Sequence, residues 1–116
     1  METFEELEEA LRNIAIKVED TSDKITDENF KSILITKFEI PSFSPLQRRE
    51  FYFNNDRSIS VIRGYGSYGY EKGLFEVAVL DKQGILDYST KITNDVIGHC
   101  NIKKIVKIAK QVNNLR

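Results

Sequence analysis

Apolar residues recur every three or four positions at the start of the chain, which predicts an amphipathic helix. The recurring positions are Phe4, Leu7, Leu11, Ile14 and Val18, which share one helical face. Thr3 and Glu6 form a capping-box pattern, so we expect the helix to begin just after Thr3. The following residues, 19–29, are polar and predict a connection.

The middle of the chain alternates between apolar and polar positions, which is typical of strands. The pattern predicts an antiparallel meander of strands near 48–54, 57–63, 73–81 and 84–88, with turns at 54–56 and 81–84. The alternation predicts five buried positions, which are Phe51, Phe53, Val61, Val77 and Val79. Residues 30–40 fit a helix or a strand, and their β-branched side chains favour a strand.

A second amphipathic helix closes the chain. Asn101 is its predicted cap, and its apolar positions are Ile102, Ile105, Val106, Ala109 and Val112. The order of helix, four or five strands and helix predicts an α+β fold, with residues 1–116 as one domain. Two layers are expected, with both helices on one face of the sheet.

The composition predicts a protein of the cytoplasm. With 41% hydrophobic residues, the 116-residue chain can bury one core without disulfides or metal. No apolar run approaches the roughly 18 residues that span a membrane, and no basic-then-apolar leader opens the sequence. The single cysteine, Cys100, excludes an internal disulfide and fits a reducing compartment.

The net charge of −1 hides an uneven distribution of charge. Residues 1–29 carry ten acidic and three basic side chains, whereas residues 97–116 carry five basic side chains and no acidic one. Attraction between the two ends within one molecule is the favoured interpretation, and two oppositely charged faces for partners are the alternative.

No constellation of residues supports catalysis. Gly64, Gly66 and Gly69 match the dinucleotide-binding spacing, but a predicted strand follows them where that motif needs a helix. His99 and Cys100 are adjacent, so on an extended segment their side chains point opposite ways, and no other histidine or cysteine remains to complete a metal site. The sequence therefore predicts no catalytic residue, no cofactor and no metal.

Two surfaces are candidates for binding. Arg63, Tyr65, Tyr68 and Tyr70 lie in and beside a glycine-tyrosine loop, whose composition suits a recognition surface for a protein, although the loop could equally be structural. The alternative is nucleic-acid binding, with phosphates held by the lysine side chains Lys103, Lys107 and Lys110. A pI of about 5.9 argues against this alternative.

Three segments, 61–69, 73–80 and 88–98, resemble a group of small uncharacterised bacteriophage and prophage proteins. The shared features are a Ser-Tyr-Gly loop, a Gly-Leu-x-Glu-x-Ala-Val-Leu strand and an Ile-Thr-x-Asp-Val-Ile-Gly segment, within roughly residues 53–115. The resemblance implies a non-enzymatic accessory protein in the host cytoplasm. Its expected partner is a host or anti-phage defence protein that it inhibits, such as a CRISPR effector. The partner's identity and the oligomeric state stay open.

Overall fold

The structure is a computed structural model, and it describes residues 2–21, 47–64, 72–87, 89–90, 92 and 96–115. Within them lie two helices and five strands: α1 (Phe4–Leu11), β1 (Lys17–Asp20), β2 (Gln47–Tyr52), β3 (Ser58–Arg63), β4 (Phe75–Leu80), β5 (Ile97–Cys100) and α2 (Ile102–Asn113). Neighbouring strands are antiparallel, and their order in the sheet is the order in the chain. The predicted α+β fold, with a meander between two helices, is confirmed.

Helix α1 begins as its sequence predicts. The Thr3 hydroxyl accepts a hydrogen bond from the Glu6 N–H at 3.1 Å, and the Glu6 carboxylate accepts one from the Thr3 N–H at 3.3 Å. Both contacts satisfy backbone groups that the first helical turn leaves unpaired. The buried side of the helix consists of Phe4, Leu7 and Leu11.

The helix is shorter than its apolar stripe. The N–H groups of Ile14 and Ala15 both donate to the Leu11 carbonyl at 2.9 Å, which closes the last turn. Ile14 still packs against the core, but Val18 lies in β1. Ile14, Ile16 and Val18 also alternate with a period of two, and pairing with the distant β2 selects the strand. The predictions that Val18 is helical and that Glu19 and Asp20 belong to a connection are wrong.

Strands β2, β3 and β4 form the predicted meander. The turn between β2 and β3 places Asp56 at a φ of 66°, a conformation that aspartate tolerates better than most residues. In the turn after β4, Gly84 has a φ of 78°, which is the positive value expected for a glycine at this position of the turn. All five core positions predicted from the alternation are buried, namely Phe51, Phe53, Val61, Val77 and Val79.

The segment predicted as a strand at 84–88 is not a regular strand over residues 84–87, and residue 88 lies outside the described residues. Its only ladder contact in the described residues is an isolated bridge between Leu86 and Leu80. The chain then turns, because the Asp87 carboxylate accepts hydrogen bonds from the Ser89 N–H and the Arg57 guanidinium, both at 2.9 Å. The place beside β4 belongs instead to β5, which pairs Cys100 with Phe75.

One core cluster joins the sheet to both helices. The rings of Phe4 in α1 and Phe75 in β4 meet edge to face, with centroids 5.0 Å apart. Ile105, Ala109 and Val112 bring α2 into the same cluster, and the two helices contact each other. The two-layer arrangement with both helices on one sheet face stays a prediction. Residues 30–40, whose secondary structure was left open, lie outside the described residues.

Candidate functional site

Helix α2 is fixed at its N-terminus by two side chains. The Asn101 side chain accepts a hydrogen bond from the Lys104 N–H at 2.8 Å, which confirms the predicted cap. The Glu2 carboxylate, at the other end of the chain, accepts a hydrogen bond from the Ile102 N–H at 2.9 Å. A negative charge there also complements the positive end of the helix dipole. The orientation of α2 is therefore set by contacts at its start as well as by its buried face.

The outer side of α2 forms a shallow groove, which we call the lysine face. A cavity of about 420 Å³ lies along it. Six side chains spaced along one side of the helix line it: Lys103, Val106, Lys107, Lys110, Gln111 and Asn114. Val106 is half-buried against the core and gives the groove an apolar floor. The structure thus brings together the three lysines predicted as a site, around a valine that the sequence pattern assigned to the core.

The lysines of this face take no part in the ion pairs of the described residues. All three are exposed, and in the part of the chain that the structure describes they form no ion pair. Among the described residues, no ion pair joins the acidic side chains of α1 to these lysines; Glu8 contacts Arg49 and Glu9 contacts Arg12. The predicted attraction between the two ends of the chain stays a prediction. The ammonium groups of the lysine face thus remain exposed to solvent.

The arginines of the sheet are all engaged. Arg48 pairs with Glu50 in β2, and Arg57 donates to Asp87 at 2.9 Å. Arg49 contacts the carboxylates of Glu8 at 3.1 Å and Asp20 at 3.2 Å. These contacts link β2 to α1 and to β1, so the arginines serve the fold.

Arg63, predicted as a partner-binding residue, is also held by the fold. Its guanidinium lies 4.4 Å from the ring centre of Phe75 and 5.4 Å from that of Phe4. It donates hydrogen bonds to the carbonyl of Glu2 and, at 3.1 Å, to that of Gly73. Arg63 thus connects residue Glu2 to the segment that leads into β4. Tyr65, Tyr68 and Tyr70 lie outside the described residues, so their role in recognition stays a prediction.

His99 and Cys100 do not form a reactive pair. His99 is exposed, with a φ of 55°, while Cys100 is fully buried and its Sγ donates to the Ile97 carbonyl at 3.4 Å. Burial raises the pKa of the Cys100 thiol, and a thiol that stays protonated is a poor nucleophile. No group of three histidine, cysteine, aspartate or glutamate side chains among the described residues could hold a metal ion.

The described helices are too short or too polar to cross a membrane. A comparison of the chain with protein-family models, curated proteins and solved structures finds no match. The similarity to bacteriophage proteins accordingly stays a prediction.

Proposed function

We propose that this protein is a non-enzymatic binding module whose lysine face recognises an acidic, partly apolar segment of another protein. The observation that carries the proposal is the combination of three exposed lysines with an apolar floor at Val106. Ammonium groups attract carboxylates, while the valine and the lysine stems offer apolar contact to a leucine-like side chain.

Several features favour a protein over a nucleic acid as the partner. Arginine is the better ligand for phosphate because its planar guanidinium binds two oxygens at once, yet Arg48, Arg49, Arg57 and Arg63 all serve internal contacts. The net charge of −1 gives little long-range attraction for a polyanion. An apolar floor also has more use against a protein side chain than against a phosphate backbone.

The bacteriophage resemblance extends this proposal to a class of partner. A host protein or an anti-phage defence factor with an acidic surface segment is the proposed target, and inhibition by occupying that surface is the proposed effect.

Two matched pairs of substitutions test the site. Lys107→Gln with Lys110→Gln changes the lysine face, and Lys82→Gln with Lys104→Gln changes two exposed lysines outside it. Both pairs lower the net charge equally, so a difference between them reports the location. The probes are a labelled acidic peptide containing leucines, the same peptide with serine in place of leucine, and a DNA duplex of about 20 base pairs. Binding is followed by fluorescence anisotropy at low and physiological salt.

We expect the leucine peptide to bind better than the serine peptide, and the change at Lys107 and Lys110 to weaken its binding about tenfold. The control substitutions at Lys82 and Lys104 should leave the affinity for the leucine peptide near that of the unmodified protein. Tighter binding of the duplex than of either peptide would favour the nucleic-acid alternative. Failure of the unmodified protein to bind the peptides, or equal effects of both pairs, would overturn the proposal.

A further inference from the structure

Strand β1 is an edge strand of the sheet in the part of the chain that the structure describes. Among the described strands it has β2 as its only neighbour. The Thr21 N–H donates to the Arg48 carbonyl at 3.2 Å, and hydrogen-bonded pairs alternate along an antiparallel ladder. In the observed register, the backbone N–H and C=O groups of Lys17 and Glu19 therefore bond to β2, whereas those of Val18 point away from it.

Two apolar side chains at this edge, one just before β1 and one within it, are exposed among charged neighbours. Ile16 is 62% and Val18 is 41% exposed. Beside them lies a groove of about 200 Å³, between the end of α1 and β1, whose apolar lining includes Leu11, Ala15 and Phe51. An outward-pointing backbone next to an apolar groove is a template for a further strand.

The opposite edge lacks these properties. Strand β5 contains Gly98, and His99 adopts a left-handed φ of 55°. Its pairing with β4 is also irregular between Phe75 and Val77. A backbone bent in this way does not present a regular row of donors and acceptors, so β1 is the edge suited to pairing.

The charges of β1 are complementary to themselves in one register. Lys17 and Glu19 lie on the same face of the strand, with Val18 between them on the other face, and their side chains meet at 2.7 Å. If a second β1 runs antiparallel with Val18 opposite Val18, each Lys17 stands opposite the Glu19 of the other copy. The four charges then alternate in sign, and the two valines cover each other beside the grooves.

We propose that two copies of this chain associate by pairing their β1 strands across a two-fold axis. The two sheets then join into one continuous antiparallel sheet. The interaction surface consists of the outward backbone of Val18, the alternating charges of Lys17 and Glu19, and the groove beside Ile16. This interface is separate from the lysine face and does not depend on it.

Sedimentation equilibrium of the full chain tests the proposal between about 10 µM and about 1 mM, where small interfaces associate. We expect the unmodified protein to change from monomer to dimer across this range. Val18→Pro should remain monomeric, because proline removes the outward N–H without removing a bond to β2. Circular dichroism melting checks that this variant is folded.

Charge substitutions test the register without proline. Lys17→Glu alone, or Glu19→Lys alone, places four like charges together and should weaken association about tenfold or more. The double exchange of Lys17→Glu with Glu19→Lys restores the alternation and should restore the dimer. A monomer at every concentration, a dimer that survives Val18→Pro, or a double exchange that does not restore association would each overturn the proposal. The acidic-peptide assay with Val18→Pro should be unaffected, so failure here is distinguishable from failure of the lysine face.

Discussion

The sheet and helix α2 use positive charge in opposite ways. The arginines of β2 and β3 bind carboxylates, carbonyls and aromatic rings of neighbouring elements, whereas the lysines of the lysine face are exposed and form no ion pair within the described residues. A planar guanidinium makes several directed contacts at once, and an ammonium on a flexible stem stays hydrated. The number of basic residues on a surface is therefore a poor guide to binding until the groups already engaged by the fold are subtracted.

The largest expected effect is at Arg63. Arg63→Ala removes hydrogen bonds to two carbonyls and the contacts with Phe4 and Phe75, and should reduce the free energy of unfolding by about 2 kcal/mol or more. Arg63→Lys keeps the charge but cannot span both carbonyls, so it should restore only part of the loss. Urea denaturation measures both variants. A change below about 0.5 kcal/mol in both variants would show that Arg63 contributes no more to stability than an ordinary surface residue.

A smaller effect is expected from the ion pair of Arg57 with Asp87, and it depends on pH. Hydrogen bonds from Ser89, and then the contact with Arg57, lower the pKa of Asp87 to about 2. Because the folded pKa lies below the unfolded value of about 3.9, the carboxylate contributes stability above that pH, and this contribution is lost as the pH falls toward 2.

Asp87→Asn should therefore flatten the decrease in melting temperature between about pH 4 and pH 2. Thermal unfolding followed by circular dichroism across this range provides the measurement, with Asp56→Asn, an exposed turn aspartate, as a control. Parallel pH profiles for Asp87→Asn and the unmodified protein would show that the contacts of the Asp87 carboxylate with Ser89 and Arg57 add no stability.

The smallest effect on stability is expected at the lysine face. Lys107→Gln with Lys110→Gln should change the free energy of unfolding by less than about 0.5 kcal/mol, because both side chains are exposed and form no ion pair in the described part of the chain. Urea denaturation at low and high salt provides the measurement. A loss above about 1 kcal/mol, or a loss that salt removes, would show that these lysines serve the fold as the arginines do.

Elements with a strong local signal could be predicted from the sequence. The caps at Thr3 and Asn101 and the turn glycine Gly84 depend on neighbouring residues, and each is where its pattern predicts. Strand β1 could not be predicted in this way, because Ile14 and Val18 fit a helix and a strand equally until β2 pairs with them. Strand β5 carries even less signal, since Gly98 and the left-handed His99 are atypical of strands.

Within the candidate site too, some features could be predicted from local sequence patterns and others could not. Helical spacing alone placed Lys103, Lys107 and Lys110 on one side of α2. The role of Val106 as the floor of their groove depends on how deeply α2 is buried against the core, and periodicity does not specify this depth. The inward contacts of Arg63 depend on Glu2 and Phe4, far away in sequence, so no local pattern could distinguish this arginine from an exposed one.

The hydrogen bond from Ile102 to Glu2 has a consequence for biosynthesis, because it joins residues 100 positions apart. A ribosome adding about 5 to 20 residues per second needs about 5 to 20 s to make the intervening chain. During that interval Phe4, Leu7 and Leu11 have been synthesised but their partners on α2 have not. The nascent chain therefore carries these apolar side chains without their α2 partners until residues 102–113 have been made, and the acidic side chains of Glu5, Glu6 and Glu9 around that segment favour its solubility.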